Sequence, residues 1–304
     1  MSSDSSYYVP ESSKLPIFMA FGLLLFVLGA GSTINDLGKE SSNSYILLMT
    51  SFAVIWGVMF VWFSNVINEN NKGMYSDQLN QSFVWGMAWF IFSEVMFFFA
   101  FFLALGYVRM FSVPWLGGEG EKAITNILWP AFEATWPVMV TPDNETFPGA
   151  EKNMNMPGIT KLHTWLPFWN TLCLVTSSGT IALAEAALKK GRRAAFKGWM
   201  VATISLGFIF VFLQGLEYYE AYAHMGLTLG AGIYGTTFFL LTGFHGFHVC
   251  LGAIILTIMT IRGFGGAFSE HDHFGLAAGS WYWHFVDVVW TVSYTHLTLP
   301  TTLS

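Results

Sequence analysis

Charge is what this sequence has least of. Of its 304 residues 11% are charged and 54% are hydrophobic. Soluble domains carry about a quarter charged residues, so there is too little polar side chain here to cover a globule. The class that remains is all-α, a polytopic helical membrane protein. Cysteine is also scarce: Cys173 and Cys250 both lie in apolar stretches, and no C-x-x-C spacing occurs. That argues against a disulfide framework and a thiolate metal site. The net charge of −6 and the scatter of the 13 basic residues leave no nucleic-acid signal. The opening "MSSDSSYYVPESSK" lacks the positive n-region of a signal peptide. No internal repeat or low-complexity tract is visible.

What is abundant is apolar and aromatic. A membrane span needs about 20 mostly apolar residues, and six segments qualify: 16–34, 45–67, 82–108, 165–188, 197–223 and 232–262. A seventh begins at Phe274 and is apolar through Val292. The expected organisation is therefore a polar tail over 1–15, two spans within 16–67, and five more within 68–292. A long outer-face excursion, 109–164, interrupts the last group, and a polar tail follows over 293–304. "PWLGGEGE" and "TPDNETFPG" mark the excursion as turn-rich. With the N-terminus inside, the inner segments hold eight basic residues and the outer ones five, and "KKGRRAAFK" at 189–197 is the strongest anchor. Positive-inside then gives an N-in, C-out topology.

Ionisable groups inside spans are costly, and each is a functional candidate by default. They are Glu94 in "IFSEVMFFFAFF", Glu217 and Glu220 in "LQGLEYYEA", His245 and His248 in "TGFHGFHV", and His284 and Asp287 in "SWYWHFVDVVW". The last three sets are i,i+3 pairs, so each pair shares a helix face. Counted from the short loop between spans six and seven, His248 and His284 lie at comparable depths of about 16–21 Å. This predicts a polar layer between those two helices. One reading is bis-histidine haem or a di-metal centre; the other is a structural network whose members satisfy one another. Helical di-metal sites repeat Glu-x-x-His on separate helices, and no span contains that motif. The structural reading is favoured, with His284 and Asp287 held by pairing. Glu94 has no local partner. It reads either as a proton-exchanging, carbodiimide-reactive acid or as a carboxyl bonded to a neighbouring helix.

"FSEVMFFFAFF", "LEYYEA", "GIYGTTFFLLTGFHGFHV" and "WYWHFVDVVW" resemble subunit III of the haem-copper cytochrome c oxidases, in that family's order. "WLPFWNT" is similar to its fourth-helix entry, and the "PWLGGEGE" loop resembles proteobacterial versions. The resemblance implies seven helices, the first two splayed from a five-helix bundle around ordered phospholipids. It implies no catalytic or metal site on this chain, with haem and copper on partner subunits. Subunits I and II are the expected partners, and cytochrome c contacts the complex without binding here. The implied role is to stabilise subunit I and support proton uptake in a bacterial inner membrane. Glu94 matches the family's carbodiimide-reactive acid, and Arg262 a lipid-phosphate ligand. Trp62 and Glu69 in "VWFSNVINE" and His273 in "HDHFG" match lipid-contacting positions.

Departures are also plain. Ser64 and Asn68 stand where arginines are common, Phe63 where a second Trp is, Asp272 for the first His of "HHFG", and Ala277 for a Glu. Glu185 and Ala186 replace paired histidines. "TVSYTHLTLPTTLS" turns polar where the family stays apolar, and Pro300 opposes a helix. The expectation is that the seventh helix ends near Val292, followed either by a truncated or misjoined gene end, the favoured reading, or by a genuine short polar outer tail. The competing readings are a quinol-oxidising relative, a metalloenzyme using His245, His248 and His284, and a proton-coupled transporter. No inverted repeat with broken helices supports the last.

Overall fold

The computed structural model describes residues 8–9, 11–36, 43–154, 157–270 and 272–298. Helices α1 (Leu15–Asn35), α2 (Ser44–Asn71) and α3 (Asp77–Tyr107) come first. A π-turn, Val108–Ser112, and a short helix α4, Val113–Leu116, carry α3 onward. After the excursion come α5 (Leu166–Lys189), α6 (Arg193–His224), α7 (Gly232–Phe264) and α8 (Phe274–Thr298). Among the described residues no strand is present. Six helices are long and apolar enough to cross a membrane: α1, α2, α3 with its extension, α5, α6 and α7. The chain falls into two compact units, 1–86 and 87–304.

In the first unit α1 lies against α2, and glycine sets how closely. A Cβ at Gly29 would sit 2.7 Å from the backbone nitrogen of Leu48, and one at Gly22 would sit 3.1 Å from the Ile55 side chain. Small residues at helix crossings let backbones approach in lipid, where dispersion contacts replace the hydrophobic drive. Beyond α2, the Tyr75 hydroxyl donates to the Val66 carbonyl and to Glu69 Oε2, both at 3.0 Å. Burial first, and then the bond to Glu69, pushes that phenol above the ordinary tyrosine range. It therefore stays a donor at neutral pH.

The second unit is organised around Trp283 of α8, which has no exposed surface. A Cβ at Gly207 of α6 would come within 2.7 Å of its ring, and one at Gly252 of α7 within 2.8 Å. Its indole N–H donates to Ser177 Oγ of α5 at 2.8 Å. One side chain thus gauges the spacing of four helices. The α5–α6 turn closes with Gly191 at φ +66°. The Gly191 N–H bonds Leu188 O and the Arg192 N–H bonds Ala187 O, each at 2.9 Å. That is the Schellman arrangement, which needs a left-handed residue at this position.

The excursion is held to the bundle by its backbone. Glu151 and Lys152 N–H groups reach Met225 O at 3.0 and 3.2 Å, and the Met154 N–H reaches Tyr234 Oη at 3.2 Å. Arg109, in the π-turn, lies 5.0 Å over the Trp136 ring and donates to the His296 carbonyl of α8. A cation there suits the exposed carbonyls of a helix's last turn. The end of α8 corrects the sequence expectation, because the helix runs past Val292 through Thr298. Its hydroxyls do not break it: Thr291, Ser293 and Thr295 donate to the carbonyls of Asp287, Val289 and Thr291 at 2.9, 2.8 and 3.1 Å. Satisfied on their own helix, they leave little polarity to expose. Pro300 lies outside the described residues.

The glycine slot makes a testable pair. Gly207→Val should drive α6 from α8 and lower the unfolding temperature of the purified complex, with a cost of about 1–3 kcal/mol typical of overpacking. Adding Trp283→Phe should recover part of that loss, because the atoms in collision are removed. Strictly additive losses in the double variant would show that the slot does not set the spacing.

Candidate functional site

The ionisable residues of the second unit form three separate polar clusters, not a single layer. In the first, His248 Nε2 lies 2.9 Å from Glu94 Oε2, joining α7 to α3. The pair is shielded: His248 is 9% and Glu94 22% exposed. His248 Nδ1 is 2.7 Å from the Phe244 carbonyl. A carbonyl only accepts, so Nδ1 carries a proton and the proton between Nε2 and Glu94 is the variable one. The pair therefore holds one proton in common, as carboxylic acid with imidazole or as carboxylate with imidazolium. Either way its net charge is zero, which is what a group at membrane depth requires. Phe97, Phe98 and Phe247 surround the imidazole with ring centroids 5.0–6.1 Å away.

The second cluster answers the question raised by His284 and Asp287. They do not bond each other; Ser178 of α5 lies between them. Its Oγ is 2.6 Å from His284 Nδ1 and donates to Asp287 Oδ2. A hydroxyl has one proton, so that of Ser178 goes to the carboxyl and its lone pair takes the Nδ1 proton of His284. Near this, His245 donates from Nε2 to the Val286 carbonyl at 3.1 Å. Its ring lies 5.1 Å from that of Trp290. His245 thus ties α7 to the backbone of α8.

In the third cluster Asn170 of α5 donates from Nδ2 to Glu217 Oε2 of α6 at 3.0 Å, and both residues are buried. Glu220 takes no part: it is exposed and turned from Glu217. The shared i,i+3 spacing placed both acids on one face, but the edge of that face is already outside the bundle.

Sequence reasoning missed the partners, which lie on α5. In "NTLCLVTSSGT" the hydroxyls of Thr171 and Ser177 donate back to their own helix at 2.8 and 2.6 Å. Their lone pairs then accept the indole N–H groups of Trp290 and Trp283 at 3.0 and 2.8 Å. The signal was a run of small polar residues inside an apolar span, a pattern of interhelical contact in membranes. Among the described residues no group of three or more His, Cys, Asp or Glu side chains is placed to hold a metal ion.

The positions matched to lipid contacts divide between the units. In the first, Trp62 is exposed and stacked 6.3 Å from Phe63, while Glu69 accepts from Tyr75. In the second, Arg262 lies 5.3 Å over Phe268, and its Nη1 is 3.9 Å from the Met259 sulfur. His273 opens α8, with the Leu276 and Ala277 N–H groups bonded to its carbonyl at 3.0 and 3.1 Å.

Ser178→Ala should orphan both His284 Nδ1 and Asp287 Oδ2. Each unpaired buried group costs about 1–3 kcal/mol, so this variant should lose clearly more thermal stability than Thr257→Ala, whose hydroxyl bonds only its own helix. Equal losses by calorimetry would mean that Ser178 is not the bridge.

Comparison with known proteins gives the same answer along the whole chain. The family model for cytochrome c oxidase subunit III matches residues 5–121 and 126–299. Cytochrome c oxidase subunit 3 of Arabidopsis thaliana is 33% identical over 287 residues, covering 94% of this chain and 92% of the relative. The Oncorhynchus masou protein is 32% identical over 294 residues, covering 96% of each. That of Marchantia polymorpha is 33% identical over 292 residues, covering 95% and 94%. The chain belongs to the cytochrome c oxidase subunit III family, and is a membrane-spanning subunit of a haem-copper oxidase complex in the respiratory chain.

Proposed function

We propose that this chain is a seven-span, N-in/C-out subunit III of a proton-pumping oxidase fed by cytochrome c in a bacterial inner membrane. It carries no redox centre and packs beside subunits I and II, which hold the haem and copper. Its work is to support subunit I and keep proton uptake supplied during turnover. The observation that carries this reading is the Glu94–His248 pair. It is a single-proton, net-neutral couple, 2.9 Å across, with the acid the more exposed partner. Such a pair can pass its shared proton between carboxyl and imidazole with no change of net charge, and the more exposed acid is the side on which exchange with a proton path would occur. Supporting the topology, the loop at 189–193 and the end of α7 gather Lys189, Lys190, Arg192, Arg193 and Arg262, as an inner face requires.

Phospholipids are the second function. In the second unit Arg262 offers its fork to a phosphate and His273 meets a headgroup; in the first unit, separately, Trp62 and Glu69 contact lipid. Ser64 and Asn68 supply no cation where relatives carry arginine, and each missing charge near the surface weakens anionic-lipid binding by about 1 kcal/mol. Lipid mass spectrometry of the purified complex should therefore find fewer or more neutral retained lipids than in an arginine-bearing relative. A full set of tightly held anionic lipids would refute this.

Glu94 is testable directly. Glu94→Gln keeps a donor for His248 Nε2 but abolishes the carboxyl, so carbodiimide labelling of this chain in the intact complex should fall to background. Turnover-dependent loss of activity should accelerate. Undiminished labelling would place the reactive acid elsewhere.

A further inference from the structure

Four helices of the second unit meet at the end that bears the excursion. They contribute Pro167 from the start of α5, Glu217 from the last turns of α6, Phe238 and Thr242 from the first turns of α7, and Ser293 from the end of α8. Between them is a cavity of about 10 Å³, the room that one water molecule needs. Its polar walls are deeply buried: Glu217 is 3%, Thr242 4% and Ser293 0% exposed.

The hydrogen bonds of those walls define what is missing. Ser293 gives its one proton to Val289 O at 2.8 Å, and Thr242 gives its own to Phe238 O at 2.7 Å. The Tyr218 hydroxyl, 2.6 Å from Thr242 Oγ1, is then the donor of that pair. Asn170 serves only Oε2 of Glu217. Each of these three hydroxyl protons is thus committed, so Thr242 and Ser293 offer the cavity acceptor capacity beside a carboxyl, with Tyr294 also in the wall. A small molecule that brings donors fits, and one that brings bulk does not.

We infer that this cavity is a binding site for one water molecule, which donates to Glu217 and Ser293 and makes Glu217 a hydrated internal acid. The inference rests on the geometry of α5–α8 and is independent of the role proposed for Glu94. It also accounts for an acid in the interior of the bundle that has no cation beside it: amide and water hydrogen bonds solvate it in place of a counter-ion.

A high-resolution cryo-electron map of the intact oxidase complex tests this. A peak at about 2.7–3.2 Å from a Glu217 carboxyl oxygen and from Ser293 Oγ is expected. An empty cavity in a map that resolves other internal waters would overturn the site, as would a peak at metal-coordination distances. Ser293→Val fills the cavity and should abolish the peak in the assembled complex, and a peak unmoved in that variant would overturn the placement. Should that variant fail to assemble, the wild-type map decides alone.

Discussion

The spacing of the second unit depends on one indole in a slot. Trp283 occupies the room left by two absent side chains, at Gly207 and Gly252, and donates its single proton to Ser177. In lipid the hydrophobic effect does not press helices together, so close fit and a few directed bonds must do it. A large rigid ring with one donor serves both needs. Everything polar in the bundle then falls at fixed heights: Ser178 one residue beyond Ser177, and His284 one residue beyond Trp283. The bridge from Ser178 to His284 and Asp287 is possible because the indole has already set the distance between α5 and α8.

The interior chemistry follows a single rule, that each buried acid meets a hydrogen-bond partner on another helix. Glu94 and His248 share a proton, Asp287 accepts from Ser178, and Glu217 accepts from Asn170. α5 makes this work by supplying both kinds of group: Asn170 and Ser178 donate to the acids, while Thr171 and Ser177 give their protons to their own carbonyls and accept the indole N–H groups of Trp290 and Trp283 on α8. Only the Glu94 cluster sets an acid directly against an imidazole, which separates it from the other two.

The outer surfaces tell of a chain that does not finish its own burial. Only 11%, 6% and 11% of the apolar windows of α1, α2 and α3 are buried within the chain, against 28–39% for α5, α6 and α7. Trp56, Phe60, Trp85, Trp89 and Phe92 are all exposed on the first three helices. For a subunit of an oxidase complex this is expected, since lipid and neighbouring subunits complete the solvation. Lipid contact alone would suit these faces, and it is the family match that places the chain in an oxidase complex.

By itself the sequence determined the class, the helices and the candidate acids and imidazoles, because scarcity of charge and apolar run length are local properties. It also determined the family, through motifs such as "TGFHGFHV" whose order along the chain needs no coordinates. Only the tertiary structure decided who pairs with whom. His248 and His284 lie at similar depth, yet one turns to α3 and the other to α5, since partner choice depends on the rotation of each helix about its axis. The end of α8 was misjudged for a related reason: a Thr-rich stretch reads as polar in one dimension, while in the helix the Thr291, Ser293 and Thr295 hydroxyls reach carbonyls one turn back. Glu220 shows the converse, where correct spacing set it near Glu217 but the edge of the bundle left it outside. Periodicity fixes which residues share a face, and packing alone says what that face meets.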